Sequence, residues 1–343
     1  MKAVGLYKYL PVTDPACLVD VEIDTPRATG RDLLVEVKAI SVNPVDTKVR
    51  APKPDVETAP KILGWDASGV VRAVAAGVTL FKVGDEVYYA GSIARPGANS
   101  EFHVVDERIV GKKPKNLSFE QAAALPLTTI TAWEALFERL GVVPEQTARN
   151  GRASLLIIGG AGGVGSIAIQ LAKQVAGIGQ VIATASRAQS VAWCKQMGAD
   201  LCIDYKQGLK NGLEAVGVKE VEYILCFNDL LEHFSGIVEV IKPQGKICAI
   251  VSTKNSAPVN LSALQRKSVT FAWELMFTKA IFQTADMQTQ HDLLNTCAHL
   301  CELGVLRSTL TEVLGTINAR NLIEVHRRLE SGTTIGKLVL SGF

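Results

Sequence analysis

Two hydrophobic rhythms divide the 343 residues of this chain. Before about residue 125, short apolar stretches are cut by turn signals: Leu33 to Ala39, Ser68 to Ala75 and, after the turn Val83-Gly84-Asp85, Glu86 to Tyr89 read as β segments. Segments spaced in this way predict a compact, barrel-like β domain. Helical signals begin with Ser118-Phe119-Glu120-Gln121, an N-cap with its capping-box partner ahead of Ala122 to Leu125, and a helix from about Thr128 to Leu140 follows. From Ser154 the rhythm changes. Leu155 to Ile158, Val181 to Ala185, Leu201 to Ile203, Tyr223 to Phe227, Lys246 to Val251 and Val269 to Trp273 are apolar runs alternating with helical stretches, which predicts a parallel sheet wound with helices on both faces. The tail adds helical segments around Leu293 to Glu302 and Ala319 to Leu329, then a terminal strand, Lys337 to Leu340, expected to return to the first domain. Ala51-Pro52-Lys53-Pro54-Asp55 reads as the loosest loop, and no internal repeat stands out.

Composition narrows the class. A hydrophobic fraction of 48%, a charged fraction of 20% and a net charge of +2 are ordinary for a globular enzyme and give no footprint for nucleic acid or a membrane surface. No charged-then-apolar leader opens the chain and no apolar run reaches the roughly 18 residues of a membrane span, so a cytoplasmic location is expected. Seven irregularly spaced cysteines read as reduced core residues. Cys297 and Cys301, with His291 nearby, share a helical spacing but read as small core residues, not ligands. The last sheet strand, Val269 to Trp273, is apolar and at an edge, which points to a homodimer.

The glycine run Gly159-Gly160-Ala161-Gly162-Gly163-Val164-Gly165 follows the strand Ser154 to Ile158 and opens a helical stretch. Gly160, Gly162 and Gly165 fit G-x-G-x-x-G, in which a tight turn, close approach of backbone to a pyrophosphate, and packing of helix on strand each exclude a Cβ atom. The helix N-terminus then offers N–H groups to phosphates, so residues Gly160 to Gly165 are expected to hold a dinucleotide. An NAD site carries Asp or Glu about 20 residues further on. Here no acidic residue occurs from Gln146 to Ala199, and the second strand ends in Ser186-Arg187. The Arg187 fork suits a 2′-phosphate, with Ser186 and Thr184 adding hydrogen bonds, which points to NADPH. The alternative is that Arg187 is a solvated residue at a helix start.

The order of parts, and specific strings within it, resemble the medium-chain dehydrogenase/reductase superfamily. Ser41-Val42-Asn43-Pro44-Val45-Asp46, Leu125-Pro126-Leu127-Thr128-Thr129-Ile130-Thr131-Ala132-Trp133, Ala161-Gly162-Gly163-Val164-Gly165, Gly198-Ala199-Asp200 and Ile203-Asp204-Tyr205 are similar to the quinone oxidoreductase branch. Trp273-Glu274-Leu275-Met276-Phe277-Thr278 and Gln283-Thr284-Ala285-Asp286-Met287 are similar to a bacterial subgroup labelled zinc-type alcohol dehydrogenase-like. The resemblance implies an α/β fold: a GroES-like β-barrel catalytic domain, residues 1–126 and 274–343, and a Rossmann doubly wound parallel sheet domain, residues 127–273. It further implies Asn43 beside the nicotinamide or substrate, Thr131 near the nicotinamide end, Tyr205 at the 2′-phosphate, and Asn228 and Ser252 along the cofactor cleft.

The zinc label conflicts with the residues. Zinc-bearing relatives carry Cys, then Gly-His-Glu, then a later Cys or Asp, and four further Cys for a structural ion. Here Asn43 stands for the first thiolate, Gly64-Trp65-Asp66 replaces Gly-His-Glu, and Gly91 to Ser100 holds no cysteine, so no metal is expected. Without a Lewis acid, conjugated acceptors are the tractable substrates, because charge spreads onto an enolate or hydroquinone oxygen. An NADPH-dependent reductase of quinones or α,β-unsaturated carbonyls is therefore expected. Asn43, Asp46 as a charged wall, Trp65 as a stacking surface and Asp66 as a proton relay are its candidate catalytic residues. Capping of turns by Asp46 and Asp66, and a core role for Trp65, stay open, as do a zinc-dependent alcohol dehydrogenase and a non-catalytic NADPH-binding protein.

Overall fold

A computed structural model describes residues 1–251 and 258–343. The chain forms two compact units, Met1–Ile130 with Phe277–Phe343, and Thr131–Met276.

In the first unit β1 (Lys2–Lys8), β2 (Val19–Glu22) and β4 (Val56–Ile62) form a small antiparallel sheet in the order β2-β1-β4. The larger sheet contains β3 (Asp32–Ser41), β5 (Ala67–Val74), β6 (Glu86–Tyr89), β7 (Phe102–Asp106), β8 (Val110–Lys112), β15 (Leu310–Val313) and β16 (Lys337–Ser341). Its order is β15-β16-β3-β5-β6-β8, with β7 also paired to β3. β3 organises it because Leu33, Val35, Val37 and Ala39 alternate inward with period two, leaving both strand edges free to pair. The tail does return to this unit: β16 lies antiparallel to β3, with Val339 opposite Ser41.

In the second unit β9 (Ser154–Ile158), β10 (Gln180–Thr184), β11 (Leu201–Ile203), β12 (Val221–Cys226), β13 (Ile241–Ala249) and β14 (Thr270–Trp273) make a wholly parallel sheet, ordered β11-β10-β9-β12-β13-β14. Leu155 to Ile158 are fully buried, as a central strand covered on both faces requires, and this explains their unbroken apolar run. The architecture is thus α/β, a doubly wound parallel sheet in one unit and a barrel-like β unit in the other.

Two elements were not anticipated from the sequence. Val56 to Ile62, polar and holding Pro60, is an edge strand for which no expectation was set, following the loop at residues 51–55, and edge pairing tolerates a proline. A short helix, Pro44–Arg50, follows Asn43, with proline at its first position. The Ser118 capping box is present, and the helix expected near 128–140 occurs as Pro126–Trp133 running on through Glu134–Arg139. The seven cysteines are free thiols. No described helix is long and apolar enough to cross a membrane.

Candidate active site

In the second unit the glycine run lies at the carboxyl end of β9, where the winding of the sheet reverses between β10 and β12. Open parallel sheets hold ligands at that position. Gly159 adopts φ +86°, and Gly162 is the extended N-cap of the helix Gly163–Gln170. A Cβ on Gly160 would stand 2.6 Å from Ala183 Cβ, and one on Gly165 would stand 2.6 Å from Gly160 O and closer still to Gly159 O. One on Gly162 would meet only Gly159 O, at 3.5 Å. Gly160 is therefore demanded by the close approach of β10 and Gly165 by the turn itself, while the space at Gly162 is left for something outside it. Such a cradle fits a pyrophosphate.

The other strand ends converge on the same edge. Ser186, half-buried, and Arg187, exposed at the N-cap of Ala188–Met197, follow β10. Tyr205 follows β11, 36% exposed, and meets the His233 ring edge-on at 5.6 Å. Asn228 follows β12 beside Gly159. Ala161, Gly163 and Val164 line the turn and the first helical residues, and Thr131 is buried. Thr184 differs from expectation. Its hydroxyl accepts the Gly159 N–H at 2.9 Å and the residue is buried, so it braces the glycine turn instead of reaching toward a 2′-phosphate. Ser252 lies outside the described residues.

In the first unit β16, β3 and β5 are neighbours, and this brings their adjoining residues Lys337, Asn43 and Trp65-Asp66 together. Asp66 Oδ1 accepts Leu127 N–H at 2.9 Å; Asp66 Oδ2 accepts Asn43 Nδ2 at 3.0 Å and faces Lys337 Nζ at 3.1 Å. Lys337 Nζ also donates to Val42 O at 3.0 Å and to Asn43 Oδ1. Asp46 Oδ2 accepts Asn43 N–H at 2.6 Å, as the third residue of the short helix, while Asp46 Oδ1 finds no hydrogen-bond partner among the described residues. Trp65 is 1% exposed, its indole N–H donates to Ser92 O at 3.0 Å, and its ring meets Phe277 edge-on.

Burial dominates the electrostatics of this cluster. It pushes the Asp46 carboxyl up to about 7, against the opposing pull of Asn43 N–H and Lys337. It also raises Asp66 and lowers Lys337, each opposed by the charge of the other. Three donors converge on Asp66 and favour its anion against the burial that raises it, and with both oxygens engaged it is ill suited to the relay role its sequence position suggested. Of the two carboxyls in this cluster, Asp46, pushed up to about 7, is the one suited to exchange a proton near neutral pH. Sequence reading missed Lys337 altogether, where the available signal was a lone lysine opening an otherwise apolar terminal strand. His103, stacked on Tyr89, is pushed down to about 4 by burial and stays neutral.

Residues 29–115 match the alcohol dehydrogenase GroES-like domain and residues 197–340 the zinc-binding dehydrogenase family. A zinc-type alcohol dehydrogenase-like protein of Staphylococcus epidermidis is 40% identical over 341 residues, covering 99% of each chain. The chain belongs to the medium-chain dehydrogenase/reductase superfamily. Within the superfamily it is a quinone oxidoreductase-like member and an oxidoreductase. A solved Rhizobium etli CFN 42 protein described as a zinc-dependent alcohol dehydrogenase is 49% identical, with TM-score 0.92 over 100% of this chain and 98% of that one. Escherichia coli quinone oxidoreductase, solved in complex with NADPH, is 27% identical with TM-score 0.80 over 99% and 100%. A 2-methylene-furan-3-one reductase of Solanum lycopersicum is 30% identical over 330 residues, 94% of this chain and 74% of that one.

The family descriptions raise zinc, and the residues of the cluster do not fit it. The Asn43 oxygen is taken by an ammonium, the Trp65 indole offers a donor and no lone pair, and both Asp66 oxygens already accept hydrogen bonds. A zinc ion would also stand beside the positive charge of Lys337.

Proposed function

We propose that this chain is a zinc-independent, NADPH-dependent reductase of quinones and α,β-unsaturated carbonyls. The observation that carries this reading is the contact of Lys337 Nζ with Asn43 Oδ1 and Asp66, which fills with an ammonium the segment where a Lewis acid would be needed. The catalytic role falls to residues 1–126 and 274–343, and cofactor binding to residues 127–273. Glycines 160, 162, 163 and 165, with Ala161 and Val164, would cradle the pyrophosphate; Arg187 with Ser186 and Tyr205 would hold the 2′-phosphate; Thr131, Asn228 and Ser252 would line the rest.

Bound NADPH supplies a hydride. An acceptor without a metal must carry the resulting negative charge by delocalisation, and quinones and enones do so, whereas a saturated ketone would develop a localised alkoxide. Asp46, with its carboxyl raised by burial, is the group suited to supply the proton. The tomato relative, named for reduction of an exocyclic enone, favours the same substrate class. We also assign the protein to the cytoplasm as a homodimer paired through β14, where Trp273 is 50% exposed; a monomer in sedimentation would remove that assignment.

Chelator-treated protein should oxidise NADPH with an ortho-quinone and a linear enone, and not with the matching saturated ketone or with NADH. Activity restricted to the ketone and restored by zinc would establish the alcohol dehydrogenase alternative. Tight NADPH binding without turnover of any acceptor would establish the binding-protein alternative.

A further inference from the structure

Lys337 is 3% exposed, and its side chain points into the polar cluster of the first unit. Its nitrogen has three acceptors around it, Val42 O at 3.0 Å, Asp66 Oδ2 at 3.1 Å and Asn43 Oδ1. A neutral amine has two N–H bonds and an ammonium three, so the protonated form is the one this shell satisfies. The contact also decides which way Asn43 faces. An ammonium has no lone pair, so Asn43 turns its oxygen to Lys337 and its NH2 to Asp66 Oδ2 at 3.0 Å and Trp65 O at 3.4 Å. The backbone N–H of the same Asn43 holds Asp46 Oδ2 at 2.6 Å. One continuous set of contacts therefore runs from β16 through Asn43 to the carboxyl of Asp46. Among the described residues, the charged groups acting on Asp46 are Asp66, immediately before β5, and Lys337, from β16.

We propose that Lys337 is a positioning residue: its ammonium is a cation built into the chain, in the segment where zinc-bearing relatives hold a metal, and it fixes the Asn43 carboxamide and acts through it on Asp46. Its kinetic consequence rests on the reductase reading, while its electrostatic consequence does not. A metal in this segment would present an open coordination position. The lysine, with every N–H engaged inside the cluster, organises neighbouring groups and polarises nothing beyond them.

The test compares Lys337→Arg, Lys337→Gln and the charge-balanced double variant Lys337→Gln with Asp66→Asn. Each is followed by 13C NMR titration of the Asp46 carboxyl, assigned with Asp46→Asn, and by kcat and KM for an ortho-quinone. Loss of the cation in Lys337→Gln should move the Asp46 midpoint upward. It should also lower kcat at least ~10-fold with a smaller change in KM, as a misplaced reacting group does. Lys337→Arg should retain the wild-type midpoint and recover most of kcat. In the double variant kcat should stay low although the buried charge is balanced. An unmoved Asp46 midpoint in Lys337→Gln, or wild-type kcat in the double variant, would overturn the proposal and leave Lys337 a mere counter-charge. If Lys337→Gln does not fold, the double variant and Lys337→Arg still decide. If even wild type turns over no acceptor, the reductase reading fails and the titration alone tests the lysine.

Discussion

Replacing Gly165 with alanine would place a methyl group 2.6 Å from Gly160 O and closer still to Gly159 O. Both are main-chain oxygens of the turn and have no rotamer by which to move aside. Relief therefore means displacing the turn, and overpacking of that kind costs about 1–3 kcal/mol. Near the upper end, and at about 2–4 °C per kcal/mol for a unit of about 150 residues, Tm should fall by about 4–12 °C. Gly162 is the contrasting position. Its φ of −72° and ψ of 174° are open to alanine, and the added methyl meets only Gly159 O, at an ordinary 3.5 Å. Reduced freedom of the unfolded chain favours alanine by about 0.4–1 kcal/mol, and its poorer N-capping costs a similar amount, so Tm should stay within a few degrees. The same methyl would occupy the side left open for a pyrophosphate, and NADPH affinity should fall at least ~10-fold, about 1.4 kcal/mol. Thermal melting and fluorescence titration with NADPH on both variants separate the two effects. A Gly162→Ala protein that binds NADPH as wild type does would refute the cradle, and a Gly165→Ala protein that melts as wild type does would refute the steric account of the turn.

Three further outcomes are expected. Arg187→Ala should weaken NADPH about 10- to 100-fold, the range of a charge-assisted hydrogen bond, and leave NADH binding unchanged; equal loss for both cofactors in parallel titrations would make Arg187 a structural residue. Asp46, raised from its ordinary 3.8 to about 7 by burial, holds in the folded state a proton that the unfolded chain releases near pH 4. Between those values unfolding becomes easier as pH rises, by at most about 1.4 kcal/mol per pH unit, so the Tm of Asp46→Asn relative to wild type should climb from pH 5 to pH 7 and then level off, while its kcat falls about 10²- to 10⁴-fold. Metal analysis of protein purified without chelator should give far less than one zinc per chain, and stoichiometric zinc that is lost together with activity would reverse the reading of Asn43 and Trp65.

The second unit was legible because its physics is local. A central parallel strand must be apolar on both faces, so Leu155 to Ile158 announce themselves, and close packing that excludes a Cβ at Gly160 and Gly165, with open space kept at Gly162, leaves three glycines in a fixed spacing. The first unit hid more. Val56 to Ile62 carries Glu57, Thr58 and Pro60, composition that fits an exposed edge as well as it fits a loop. Pro44 to Arg50 is too short to show helical periodicity. Thr184 lay where expected, yet its hydroxyl was used inward, a choice fixed by the position of Gly159 N–H and invisible in a run of residues. Lys337 was hidden most thoroughly. It contacts Asn43 across 294 positions of sequence, and a lysine at the start of an apolar strand ordinarily stays in solvent.

On the proposed reading, that hidden contact links residue identity to substrate class. A zinc ion activates a carbonyl by accepting its lone pair directly, and so can support reduction of an isolated ketone. An ammonium whose three hydrogens are already given to Val42, Asn43 and Asp66 has none to give a substrate. Any stabilisation of the transition state must then come from the acceptor's own conjugation and from a separate proton donor. On the proposed reading, the first condition favours quinones and enones over ketones. The second requires a nearby acid that keeps a share of its proton at neutral pH, and the buried carboxyl of Asp46, pushed up to about 7, suits that role because burial outweighs the pull of Lys337. If Asp46→Asn and the metal analysis agree, the zinc label carried by relatives describes the ancestry of the fold, and the chemistry of this chain follows from Asn43, Asp46, Asp66 and Lys337.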